Sequence, residues 1–198
     1  MTPIARLAYP GTSHPDTTQV ATPQLEIAQL GRPVLREHAQ PIENPQDPSI
    51  QTLIDRMLTM MEQAGGVGIA APQIGVLVQL MIVASRPTPR YPHAPKMAPI
   101  PMLNPRLVSH EPDQEKGWEG CLSVPGIRGL VPRYSSIEIA YLDRTGQPHT
   151  QVLEGFVARI FQHEYDHLQG VVFLDRVEQT TELMSEQEYH RQIVALSA

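Results

Sequence analysis

The run from Phe156 to Gly170 constrains this chain more than any other stretch. Within it stands His163-Glu164-Tyr165-Asp166-His167. Read as helix, it puts two imidazoles four residues apart, one turn apart on the same face. Phe156, Ile160, His163 and His167 recur at helical spacing, and Val157, Phe161 and Leu168 broaden the stripe. Gly170 falls where a left-handed C-cap would end the helix. Two such imidazoles can hold one metal ion, and Glu164 can hang beside a metal-bound water as a general base. The competing reading is a helix with two surface histidines, and a third ligand decides between them.

Around that helix the chain reads as strands in runs. Asp47 and Pro48 suit the cap and first position of a helix over Ser49–Ala64, whose Ile50, Leu53, Ile54, Met57, Leu58 and Met61 form one buried stripe. Gly65-Gly66 stops it. Val76–Ala84 reads as an apolar strand, residues 86–101 as a surface loop with six prolines, and Met102–Ser109 as a strand interrupted near Asn104-Pro105. Ser136–Leu142 and Thr150–Leu153 flank the turn Arg144-Thr145-Gly146-Gln147 as a hairpin. Ser185 with Glu188 makes a capping box for a last helix reaching about Ala195. Residues 1–24, rich in Pro, Thr and Ser, read as an extended or disordered arm, leaving 25–198 as one catalytic domain. Strands joined by turns, without β-helix-β alternation, predict an α+β fold. Antiparallel sheets would pack around a central metal-binding helix, with one helix towards each terminus.

Composition narrows the function. Charged residues make up 18 % and the net charge is −6, so a phosphate-binding surface and a nucleic-acid substrate are not expected. No apolar run is long enough to span a bilayer, and the N-terminus lacks the basic-then-apolar layout of a secretory signal. The single cysteine, Cys121, precludes an intramolecular disulfide and fits a reducing compartment.

Candidates for the third ligand are Cys121, a downstream carboxylate or another histidine. Glu178, Glu182, Glu186 and Glu188 make a zincin-like metallopeptidase available from spacing alone. A non-catalytic zinc-stabilised binding domain is a reading of a different class. As a thiolate, Cys121 would be the strongest soft ligand in the chain. Gln73 is a lone polar residue among apolar neighbours: either a buried amide tying a loop together or a donor aimed into a site. Val67, Val124, Arg159 and Ile160 read as plain core or as the wall of an apolar pocket, and Arg133 as a partner for Glu119 or a solvated charge.

Three separated segments resemble the peptide deformylase family in order and character. They are Gly66-Val67-Gly68-Ile69-Ala70-Ala71-Pro72-Gln73, Glu119-Gly120-Cys121-Leu122-Ser123 and Gln162-His163-Glu164-Tyr165-Asp166-His167. The resemblance spans about residues 25 to 178 and shows no departure at a catalytic position. It implies a metal site of Cys121, His163 and His167 and a general base at Glu164. It also implies oxyanion donors on the Gln73 side chain and the Leu122 amide, and substrate-backbone contacts at Gly68 and its neighbours, Val67 among them; Ile160, a turn before His163, is a candidate substrate contact by its position. The implied activity is removal of the N-formyl group from formyl-methionyl nascent chains. A bacterial cytoplasm is the expected location and an organelle the alternative, and a substrate on nascent chains makes docking at the ribosome a further expectation. Fe²⁺ is the native ion the resemblance points to, and Zn²⁺, Ni²⁺ or Co²⁺ suit the same ligands.

Overall fold

The computed structural model describes residues 26–88 and 91–195, so the arm expected over residues 1–24 lies outside it. A five-stranded antiparallel sheet has the order β1-β2-β3-β6-β7, from Gly68–Ala70, Leu80–Ser85, Met97–His110, Ser136–Leu142 and Pro148–Glu154. A second antiparallel sheet joins β4 (Gln114–Cys121), β5 (Val124–Tyr134) and β8 (Leu183–Ser185). Helix α1 covers Pro48–Gln63, α2 covers Gly155–Leu168, and α3 (Glu186–Tyr189) runs on into a π-helical turn, His190–Val194. The α+β architecture read from the strand pattern is the one observed.

Strand β2 shows why the sheet sits where it does. Leu80, Ile82 and Ala84 pack with Ile54, Met57 and Met61 of α1. Met81 and Val83 face the other way and pack with Ala158, Ile160, Phe161 and Leu168 of α2. Alternate side chains leave a strand on opposite faces, so a strand with a helix on each side needs an unbroken apolar run. The sequence Leu-Met-Ile-Val-Ala supplies it. Helix α2 thereby lies between the first sheet and the hairpin of the second, the central position its double stripe implied.

The helix ends follow their caps. The Asp47 carboxylate accepts from the Ser49 amide at 2.8 Å, and Pro48 opens α1. Gly65 stops it with φ of +63°. At the end of α2, Gly170 has φ of +72°, and a Cβ there would lie 2.7 Å from the Arg36 carbonyl oxygen, so the chain can pass only as glycine. Ser185 accepts from the Glu188 amide at 3.2 Å, as its capping pattern implies.

Three boundaries differ from expectation. Residues 76–79 precede β2 instead of starting it, because the Val76 amide closes the 3-10 turn of Ala71–Ile74 and Val78 bridges Gln40. Strand β3 begins at Met97, inside the proline-rich stretch, and runs through Asn104-Pro105. There Asn104 adopts φ of +47°, and its side-chain amide bonds both the N–H and the carbonyl of Ile42, at 2.8 Å each. The register slips at that point instead of the strand ending. The C-terminal α-helix is only four residues long before it widens into the π-helical turn.

Candidate active site

The hairpin of β4 and β5 turns at Leu122-Ser123, where Cys121 pairs with Val124, and this turn faces α2. Among the described residues, Cys121, His163 and His167 are the one group of three or more His, Cys, Asp or Glu side chains able to share an ion. Their donor atoms lie within 4.8 Å of one another, and Cys121 Sγ is 3.2 Å from His167 Nε2. Burial opposes ionisation of the thiol, but the His167 and His163 imidazoles outweigh it and hold Cys121 well below its ordinary value. Of the candidates that spacing left open for a third ligand, the cysteine is the one that the fold brings to the two histidines. The downstream glutamates are engaged elsewhere: Glu178 and Glu182 on Lys116, Glu186 on Arg128, and Glu188 on Arg191. That leaves the zincin arrangement without its ligand.

Behind the histidines lies a buried charge network. His163 Nδ1 donates to Glu119 Oε2 at 2.8 Å, which frees Nε2 for the cavity side. Glu119, 3 % exposed, also accepts two bonds from Arg133 at 2.9 and 3.0 Å and one from Arg159 at 3.0 Å. Desolvation disfavours its charge, yet Arg133 and His163 hold the carboxyl well below the usual carboxylate range. Arg133 continues to Asp166 at 2.7 Å, and Asp166 to Arg176 at 2.7 Å. The Arg133–Glu119 pairing is thus a structural element of the site.

Glu164 stands on the cavity side. It is 4 % exposed, and its Oε2 has no hydrogen-bond partner among the described residues. Burial pushes its carboxyl up to about 7. A carboxylate so poised suits proton transfer near neutral pH. Gly68 makes room for it, since a Cβ at that position would fall 2.3 Å from Glu164 Oε1. Gln73, 1 % exposed, plays both parts considered for it. Its Oε1 accepts from the Ala70 amide at 2.8 Å, which aims Nε2 at Cys121 Sγ and Ser123 Oγ, 3.3 Å from each. An orphaned carboxylate oxygen, a held thiolate, two imidazoles and an aimed amide fit a divalent ion with a reacting water.

A cleft opens in front of these groups, lined by Val67, Gly68, Leu122 and Ile160, as well as Cys121 and Glu164. Arg159 lines it too while tying β4 to β5 through Glu119, Glu115 and Val131. Val124 does not: it packs with Val131 and Phe173 behind the hairpin, so the pocket-wall reading of that residue is corrected. Tyr91, Trp118 and Arg128 line the cleft without having been singled out, and Phe156 lines it although it was read only as part of the helical stripe. The spacing of Phe156, Ile160 and His163 on one helix face could have found Phe156. Nothing in the proline-rich stretch marks Tyr91.

The polypeptide deformylase family model matches residues 24–182. A "Peptide deformylase 2" from Nostoc sp. is 56 % identical over 165 residues, covering 83 % of this chain and 92 % of that protein. A "Peptide deformylase 2" from Shewanella oneidensis is 42 % identical over 170 residues, covering 86 % and 93 %. Among solved structures, the Met-Ala-Ser-bound class I type b peptide deformylase from Acinetobacter baumannii superposes with a TM-score of 0.76. It is 41 % identical, covering 77 % of this chain and 98 % of that one.

Proposed function

The chain belongs to the polypeptide deformylase family and hydrolyses the N-formyl group from formyl-methionyl nascent polypeptides; we propose that it does so with the residues gathered at this cleft. The observation that carries the assignment is convergence. Three donors, a buried carboxylate oxygen without a partner and an oriented amide meet at one cavity. Cys121, His163 and His167 would hold a divalent ion, whose chemistry is Lewis acidity and a water made acidic near neutral pH. Glu164 takes the proton of the attacking water on its carboxylate and returns it to the leaving nitrogen, giving formate and a free amino terminus. The Gln73 Nε2–H and the Leu122 N–H donate to the oxygen that gains charge at the formyl carbon, a contribution on the order of 100- to 1,000-fold per donor. Val67, Gly68 and Ile160 contact the substrate, with Ile160 on the side of the methionyl chain.

Fe²⁺ is proposed as the native ion and Zn²⁺, Ni²⁺ or Co²⁺ as substitutes, since one thiolate and two imidazoles accept all four. A substrate borne on nascent chains supports a bacterial cytoplasmic enzyme that works at the ribosome, and co-sedimentation without enrichment would count against that docking. The deciding assay is formate release from formyl-Met-Ala-Ser by anaerobically prepared, Fe²⁺- or Ni²⁺-loaded protein, with Glu164→Ala beside it. Turnover lost in the variant while metal content is kept supports the base. Equal turnover in both removes it.

A further inference from the structure

Two cavities meet at one pair of aromatic rings. The active-site cleft, about 60 Å³, ends at Tyr91 and Phe156. The same two residues also line a second, more open hollow of about 310 Å³, whose other walls include Tyr189, Ile193 and Val194 of the C-terminal segment. The Tyr91 and Phe156 rings stand 4.9 Å apart at 52°, a tilted contact typical of packed aromatic side chains. Phe156 is fixed by its place at the start of α2. Tyr91 has no such scaffold, because it sits in the connection between β2 and β3.

What holds Tyr91 is Arg128. Its guanidinium donates to the Tyr91 hydroxyl at 2.8 Å and to both Glu186 oxygens at 2.6 and 2.9 Å. Its Cζ is 5.4 Å from the centroid of Tyr91 and 4.8 Å from that of Tyr189. Arg128 is 1 % exposed and rests against Gly120, where a Cβ would lie 2.7 Å from the guanidinium carbon. A bidentate, stacked arginine of this kind has one geometry. Backbone bonds exchanged between Thr88 and Tyr91 fix the ring's root. Glu186 and Tyr189 both lie beyond residue 182, where the family match ends, so the lock draws on the C-terminal segment.

We propose that Tyr91 is a specificity-determining residue: with Phe156 it partitions the substrate cleft from the apolar cavity behind it, and the Arg128–Glu186 pair is the positioning device that keeps the partition shut. This rests on the cleft being the deformylase site. The partition limits the length of an apolar substrate side chain, and its removal adds the second cavity to the first.

The test compares kcat/KM for formyl-Met-Ala-Ser with that for the analogue whose first residue is 2-aminodecanoic acid, whose straight alkyl side chain is four atoms longer. Metal-loaded wild type, Tyr91→Ala and Glu186→Gln are assayed side by side. A methylene accommodated or refused in an apolar pocket changes the rate on the order of tenfold or more. Y91A should therefore raise the long-chain to methionine ratio at least tenfold. E186Q retains both aromatic side chains but loosens the hold on Tyr91, and should raise the ratio about threefold, chiefly through KM, while E186D restores the wild-type ratio. A merely structural role would lower both substrates together and leave the ratio alone. An unmoved ratio in Y91A overturns the partition. If Y91A does not fold, E186Q decides, and an unmoved ratio there overturns the lock and the proposal. Absence of formate from either peptide with wild type would sink the proposed function and this inference with it, a result distinct from an unmoved ratio.

Discussion

Replacing Gly68 by alanine puts one methyl group where Glu164 now lies. The added Cβ would sit 2.3 Å from Oε1 and 2.8 Å from both Cδ and Cγ of that side chain. Ordinary contact begins near 3.4 Å, so the carboxylate has to retreat by about 1 Å or the β1 backbone has to move. Backbone strain is no part of the effect, because Gly68 is not among the residues with positive φ. The retreat is hard to accommodate, since Glu164 is 4 % exposed on a helix packed against β1. Misplacing a catalytic group by about 1 Å costs roughly 100-fold in rate, or about 2.7 kcal/mol of barrier. G68A should thus keep its metal content and lose about two orders of magnitude in kcat on formyl-Met-Ala-Ser. The same substitution made on an E164A background should cost far less, because the group it displaces is already gone. A double-mutant cycle over kcat reads that coupling directly. Additive losses in the cycle, or a G68A enzyme within threefold of wild type, would refute the steric argument.

Cys121→Ala should abolish binding of stoichiometric metal, measured by elemental analysis, whereas a carboxylate-completed site would retain it. Glu119→Gln removes the charge that Arg133, Arg159 and His163 share. Breaking a buried pair this way costs about 3 kcal/mol or more, and a melting scan should show a drop of roughly 6–12 °C. Asp143 governs part of the acid limb of stability. Bonds from the Thr145 hydroxyl first, and from His149, hold its carboxyl below the ordinary 3.8. Its contribution is therefore present above that ordinary value and is lost as pH falls through the depressed one. Urea midpoints at pH 6 and pH 3 should differ less for Asp143→Asn than for wild type, and an equal difference would remove Asp143 from the account.

Legibility from sequence varied for physical reasons. Ser136–Leu142 alternates Ile137, Ile139 and Tyr141 inward, and β6 occupies those very residues. Helix α2 and its histidine pair were readable because helical spacing is local. Strands β4 and β5 were not read as strands, although they carry Cys121. Their inward positions hold Glu119, Arg128 and Arg133, whose burial depends on partners far along the chain, and no periodicity of apolar residues marks them. The same holds for Asn104, whose amide stands in for a broken ladder only because Ile42 is beside it. Gln73 could be singled out as polar among apolar residues. Its orientation depends on the Ala70 amide and becomes visible only once the 3-10 turn is formed.

Strand β2 carries one more consequence. Its backbone is bonded on one side to β1 and on the other to β3, and its side chains are covered by a helix on each face. Leu80–Ala84 is also a run suited to self-stacking, being apolar, uncharged and free of proline and glycine. Uncovering it requires the loss of packing on both faces and of pairing on both sides, so fraying or local opening should leave it covered. Amide protons of Met81 to Val83 should exchange only through global unfolding, and fibril-type aggregation should track the fully unfolded fraction instead of any partly open form.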